Sequence, residues 1–121
     1  MFAIEWEPEF AVLRVDAEGR VTHEDYTEVL APAVDRAVEK AGKINLVYCL
    51  GPEFEGFDLM AMVDDAELGF SHLGDFESIA VVTDDPVVQA TVRAMSVLVP
   101  APVRVFDLHE LEEAIAWARD G

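Results

Sequence analysis

Basic side chains are what this chain has least of. Eight lysines and arginines stand against 25 aspartates and glutamates, and the formal net charge is −17. Only Lys40 and Lys43 are lysines. A surface of this sign repels nucleic-acid phosphates and anionic headgroups, so neither nucleic-acid binding nor stable membrane association is expected. The imbalance fits plain solubility, and it fits adaptation to high salt equally well. Cys49 is the single cysteine, which excludes an internal disulfide and suits a reducing compartment, by default the cytoplasm. No apolar run approaches the ~20 residues of a membrane-spanning helix. Met1 to Glu7 shows neither the basic region nor the apolar stretch of a signal peptide. Nucleophiles and metal ligands are few: Ser71, Ser78 and Ser96, His23, His72 and His109. No nucleophile elbow, phosphate loop, dinucleotide fingerprint or zinc spacing occurs.

Apolar residues, in contrast, make up 52% of the 121, ample for the core of one domain spanning 1–121. Their spacing predicts an order β-β-α-β-α-β-α-β-α. Ala3 to Trp6 and Phe10 to Val15 read as two strands, with Pro8 and Glu9 breaking the chain between them. Asp16-Ala17-Glu18-Gly19 has turn chemistry. Thr22 caps a helix whose apolar stripe runs from Tyr26 through Leu30 and Val34 to Ala41; Pro32 should kink it or split it into two abutting helices, and Gly42 should end it. Ile44 to Leu50 is a buried strand. Asp58 can cap a second helix, roughly Leu59 to Leu73, whose apolar residues spread wider than one stripe. Ile79 to Val82 is a strand covered on both faces. Asp85 and Pro86 open a third helix, Val103 to Phe106 is the last strand, and Asp107 with Glu110 has the spacing of a capping box for a fourth helix. The alternation implies an α/β fold with a five-stranded, mostly parallel mixed sheet, right-handed crossovers and four helices.

The functional candidates follow from where the sheet ends. Ligands of open α/β sheets sit outside the carboxyl ends of strands. There the third strand gives way to Gly51-Pro52-Glu53-Phe54-Glu55-Gly56-Phe57, read as a loop. Phe54, Gly56, Phe57, Met60, Met62, Val63 and Phe70 form the candidate ligand-binding set. Two readings stay open. Their apolar groups either close the end of the core or form a patch for a lipid, another small apolar ligand, or a partner protein. No catalytic residue, metal or cofactor is assigned. Cys49, in an apolar strand, reads as structural. The alternatives are a small enzyme using Asp64, Asp65 and His72, which share the second helix, or a purely structural dimerising domain.

With those residues in view, the chain resembles the SpoIIAA-like family, a branch of the STAS and Sec14-like folds of small bacterial proteins. The likeness is carried by Gly19 to Tyr26, by Phe54-Glu55-Gly56-Phe57-Asp58, by His72 with Asp75 to Asp84, and by Phe106-Asp107 leading to Glu113-Ala114-Ile115-Ala116-Trp117. It implies a five-stranded sheet with four helices, homodimers, and an apolar cleft near the second helix suspected of holding lipid. The antagonist members of that fold carry a phosphorylatable serine at the start of the second helix. Here Glu55-Gly56-Phe57-Asp58-Leu59-Met60 has no hydroxyl, so a kinase-controlled switch is not expected.

Overall fold

Leu13, Val15 and Ala17 share one face of a strand and Val12 lies on the other, and all four are buried. A strand with this pattern must be covered on both sides. The computed structural model, which describes residues 1–58, 60–61, 67–68, 71–72 and 74–120, places it next to the edge of the sheet. This strand, β2 (Val12–Val21), pairs antiparallel with β1 (Phe2–Glu7) and parallel with β3 (Ile44–Phe57). β4 (Phe76–Val82) and β5 (Val103–Phe106) extend the parallel pairing, and the spatial order is β1-β2-β3-β4-β5. The mixed five-stranded α/β sheet read from the sequence is therefore present.

Two strands run on past their expected ends. Asp16 to Gly19, expected to turn, stays in β2. Gly19 takes φ 61° there, and the register slips on both sides of it. A bulge thus absorbs the turn-like residues instead of reversing the chain. Because β2 continues, its hydrogen-bonding edge is available to the segment expected to be a loop. Gly51 to Phe57 becomes the second half of β3, with Phe54 opposite Gly19, Gly56 opposite Arg20 and Phe57 opposite Val21.

Helix starts follow the capping residues. Thr22 and Asp25 bond reciprocally: the Thr22 N–H donates to the Asp25 carboxylate at 2.9 Å, and the Asp25 N–H to the Thr22 hydroxyl at 3.2 Å. The chain then makes a π-helical segment, Asp25–Leu30, before α1 (Ala31–Ala41). Pro32, expected to kink the helix or to divide it into two abutting ones, falls in the first turn of α1, where its missing N–H is tolerated, so the abutting arrangement is the one observed. The widened turns before it take up the mismatch. Gly42, at φ 81°, closes α1 by donating its N–H to the Val38 carbonyl at 2.8 Å. Asp85 accepts the Val87 and Val88 N–H groups at the start of α2 (Pro86–Met95). The Asp107–Glu110 capping box forms and leads into α3 (Leu111–Asp120). Among the described residues there are three α-helices, not the four expected. The missing one was read over 59–73, a span that falls partly outside the described residues; within it Met60, Ala61, Glu67, Leu68 and Ser71 have helical backbone.

The sheet carries a separate apolar layer on each face. Leu13, Val15 and Leu50 pack with Tyr26, Leu30 and Val34 of the first helical stretch. On the other face Val47, Ala80, Val82 and Phe106 lie under Ala114, Ile115 and Ala118 of α3. Small residues on α3 let its backbone approach the strands closely. Asn45 and Ser78, both buried, join β3 to β4. The Ser78 hydroxyl donates to the Asn45 side-chain oxygen at 2.6 Å, and the Asn45 amide donates to the Phe10 carbonyl at 3.2 Å. Replacing Asn45 by alanine strands both the Ser78 hydroxyl and the Phe10 carbonyl. Urea titration should show Asn45→Ala losing about 1–3 kcal/mol, and Ser78→Ala less.

Candidate functional site

The candidate site is built on the extended end of β3. Phe54 and Phe57 are half-buried, with ring centroids 4.9 Å apart and planes inclined at 60°. That edge-to-face arrangement is favourable for aromatic pairs. Both rings pack against the α1-side core, while Pro52, Glu53 and Glu55 between and beside them are exposed. Strand geometry therefore leaves the rings neither fully inside nor free. Met60, just beyond, is 53% exposed, and Ala61 next to it is fully buried. The structure thus brings Phe54, Gly56, Phe57 and Met60 to one end of the sheet. Met62, Val63 and Phe70 lie outside the described residues, as do Asp64 and Asp65.

Ionic contacts fix this end. Arg20 and Asp58 form an ion pair, and the Asp58 N–H donates to the Val21 carbonyl at 2.8 Å. Asp58, read as a helix cap, thus ties the end of β3 back to β2. Gly56 has φ 129°, a conformation that a side chain rarely adopts. A Cβ there would have room, its nearest neighbour being an Arg20 nitrogen at 3.9 Å, so the penalty of substitution is in the backbone alone.

His72 is held rather than poised. Its Nε2 lies 2.9 Å from Asp35 of α1 and its Nδ1 2.9 Å from Asp75, just ahead of β4. Both ring nitrogens are thus occupied by carboxylates other than those proposed for an enzyme. Sequence spacing could not reveal Asp35 as a partner, because the two residues meet only through the fold. The serine hydroxyls are similarly engaged, Ser71 with the Glu67 carbonyl at 2.9 Å and Ser96 with the Arg93 carbonyl at 2.7 Å. Asp107, His109 and Glu110 each place one donor atom within 4.8 Å of the others. Asp107 also accepts from the Gln89 amide at 2.8 Å, and Glu110 accepts from the Asp107 N–H at 2.8 Å, so those carboxylates serve the helix start.

Cys49 lies opposite Asp16 on the α3 side of the sheet. Burial, reinforced by the Asp16 carboxylate, pushes its thiol up to about 11. One feature was missed from the sequence: an open groove of about 90 Å³ beside β1, lined by Ile4, Trp6, Leu13, Ala33, Ala37 and the stems of Arg36 and Lys40. Its signal was the pair of small residues Ala33 and Ala37, which read simply as part of the core stripe.

The mixed five-stranded sheet, with helices packed on both faces, defines an α/β module. The family model described as SpoIIAA-like matches residues 12–119, and the chain belongs to that family. It is also similar to the crystal structure of an uncharacterized protein with a SpoIIAA-like fold from Shewanella loihica. That likeness has 27% sequence identity and a TM-score of 0.75, and covers 98% of this chain and 92% of that one. Comparison with curated proteins gave no match. Among the described residues, no helix is long and apolar enough to cross a membrane.

Two measurements check this geometry. Gly56→Ala should lower stability by about 1–3 kcal/mol, because alanine must adopt a strained φ. Native Cys49 should resist iodoacetamide at neutral pH and react on unfolding. A raised thiol pKa adds stability below the unfolded value, and that stability is lost as pH climbs toward the folded one. Stability should therefore fall from pH about 9 to about 11, and Cys49→Ala should flatten that decline.

Proposed function

We propose that this protein is a non-catalytic binding or regulatory module that holds a lipid, another small apolar ligand or an apolar segment of a partner at the end of β3. The observation that carries the reading is the half-buried Phe54–Phe57 pair beside exposed Met60. An edge-to-face pair left partly in water offers a ring surface that a ligand chain or partner helix can cover without unfolding anything. Methionine's flexible thioether adapts to irregular shapes.

The engaged state of the polar groups supports the same reading. His72 is clasped by two carboxylates, the Ser71 and Ser96 hydroxyls are bonded to carbonyls, and the Cys49 thiol is held protonated. A nucleophile needs a neighbouring base or a depressed pKa, and the Cys49 environment acts in the opposite direction. The acidic surface argues against anionic membranes as the lipid source, so a single captured molecule suits it better than a bilayer. A cytoplasmic setting is consistent with the lone buried thiol.

Native mass spectrometry of the gently purified full chain should show a co-purifying apolar molecule, and the emptied protein should bind the dye Nile red. Phe54→Ala and Phe57→Ala should each weaken dye binding by about tenfold or more, since each large ring contributes more than 1.4 kcal/mol when covered. A chain that carries nothing and binds no dye, or whose dye binding ignores both substitutions while its circular dichroism is unchanged, would sink the proposal.

A further inference from the structure

Half of the eight basic side chains of this acidic chain are matched. Arg14 pairs with Glu5 and Glu7, Arg20 with Asp58 and Arg119 with Glu7, and Arg104 lies over the Phe106 and Trp117 rings. Arg36 and Lys40 are not: among the described residues they form neither an ion pair nor a hydrogen bond. They stand one turn apart on the same side of α1, and their stems border the groove between α1 and β1. The fold keeps carboxylates off this side. Ile4 and Trp6 of β1 face α1 and pack against the core there, so strand alternation sends Glu5 and Glu7 to the opposite face, where they meet Arg14 and Arg119. On α1 itself, Asp35 is turned to the far flank and lies 2.9 Å from His72. The floor of the groove is apolar. Leu13 is buried beneath it, and Ala33 and Ala37 leave a space that larger side chains would fill.

We propose that this groove binds a small carboxylate with an apolar body, of the arylalkanoate class. The ring lies on Leu13 beside the Trp6 indole, and the carboxylate rests between Arg36 and Lys40. Charge and size select this occupant together. A guanidinium meets a carboxylate through two parallel hydrogen bonds, and an ammonium one turn away adds a second positive charge. An aromatic wall suits an aromatic guest, edge to face or offset. An apolar cavity of about 150 Å³ holds benzene. The groove here encloses about 90 Å³ and is open at its mouth, so it takes one ring partly immersed and has no room for a long acyl chain. Inorganic phosphate would satisfy the two cations and leave the apolar floor unused. The site is separate from the aromatic pair of β3. Leu13 lies at the start of β2, and Phe57 pairs with Val21 at its end, so the two ligand proposals stand or fall independently.

The two tryptophans report on opposite faces of the sheet, Trp6 in the groove and Trp117 on the α3 side. In heteronuclear NMR spectra of the full chain, phenylpropionate should shift the Trp6 indole signal saturably, with a Kd of about 1 mM or tighter, and leave Trp117 in place. Phenylpropanol, which has the same body without the charge, should bind at least about tenfold more weakly, and inorganic phosphate should give no saturable shift up to about 10 mM. Arg36 and Lys40 are exposed, so Arg36→Gln and Lys40→Gln should leave circular dichroism unchanged. Each should weaken phenylpropionate binding about threefold or more, and the double variant at least about tenfold. The proposal is overturned by a Trp6 signal that does not move up to about 10 mM, by phenylpropanol or phosphate binding as tightly as the carboxylate, or by a folded double variant of undiminished affinity. Shifts at Phe54 and Phe57 with Trp6 unmoved would put the molecule at the end of β3 and overturn it as well.

Discussion

The parallel pairing of β2 with β3 is the constraint on which the rest of this molecule hangs. It runs from Val12 opposite Asn45 to Val21 opposite Phe57 and holds its line through a bulge at Gly19. Because both strands are long, both can carry apolar side chains on two faces, and each face recruits its own helical cover. α1 and its π-helical lead-in close one side through Tyr26, Leu30 and Val34. α3 closes the other through alanines that let it sit low on the strands. The same pairing fixes where β3 stops, and therefore where Phe54 and Phe57 emerge. Were β2 to turn at Gly19, the aromatic pair would sit on a loose loop.

Polar chemistry in this protein is directed mainly at architecture. Thr22 with Asp25, Asp85, and Asp107 with Glu110 each satisfy backbone groups at a helix start. Asn45 and Ser78 do the same between two strands, and His72 joins α1 to the approach of β4. Arg14 lies 2.8 Å from Glu5, and Arg119 reaches Glu7 at 2.8 Å, so two of the few cations brace the edge strand. Among the described residues, the aromatic pair at the end of β3 takes no part in these bonds and is left half-buried. The chain belongs to the SpoIIAA-like family, and a fold by itself leaves function to the sites built on it.

Much of the architecture was legible because it rests on short-range signals. The strand from Val103 to Phe106 coincides with its expected span, since it is bounded by Pro102 and a capping aspartate. Helix starts at Asp85 and Asp107 were equally plain, each marked by a side chain that bonds within three residues. What escaped was set by pairing across the sheet. The residues from Asp16 to Gly19 have every local mark of a turn, yet the bulge keeps them in line. Gly51 and Pro52 punctuate β3, yet the open edge of β2 holds the chain extended. The π-helical turns ahead of Pro32 answer a conflict between proline and a continuous apolar stripe; spacing allowed a kink or two abutting helices but carried no sign that the first would be π-helical. The set around Phe54 and Phe57 was found from its position beyond a strand, whereas the groove beside β1 was hidden, because Ala33 and Ala37 at helical spacing look alike whether they face a core or line a groove.

Spatial order that copies chain order has a consequence for how the polypeptide matures on the ribosome. Each strand after the first adds to an edge already made by its predecessor, so no strand has to be inserted between two finished neighbours. The layer between the sheet and α1 can consolidate once β3 has emerged. The opposite layer cannot, since its cover, α3, comes after all five strands. Until that helix is synthesised, Val47, Ala80 and Val82 face water, and a nascent chain halted before Leu111 would present them to chaperones.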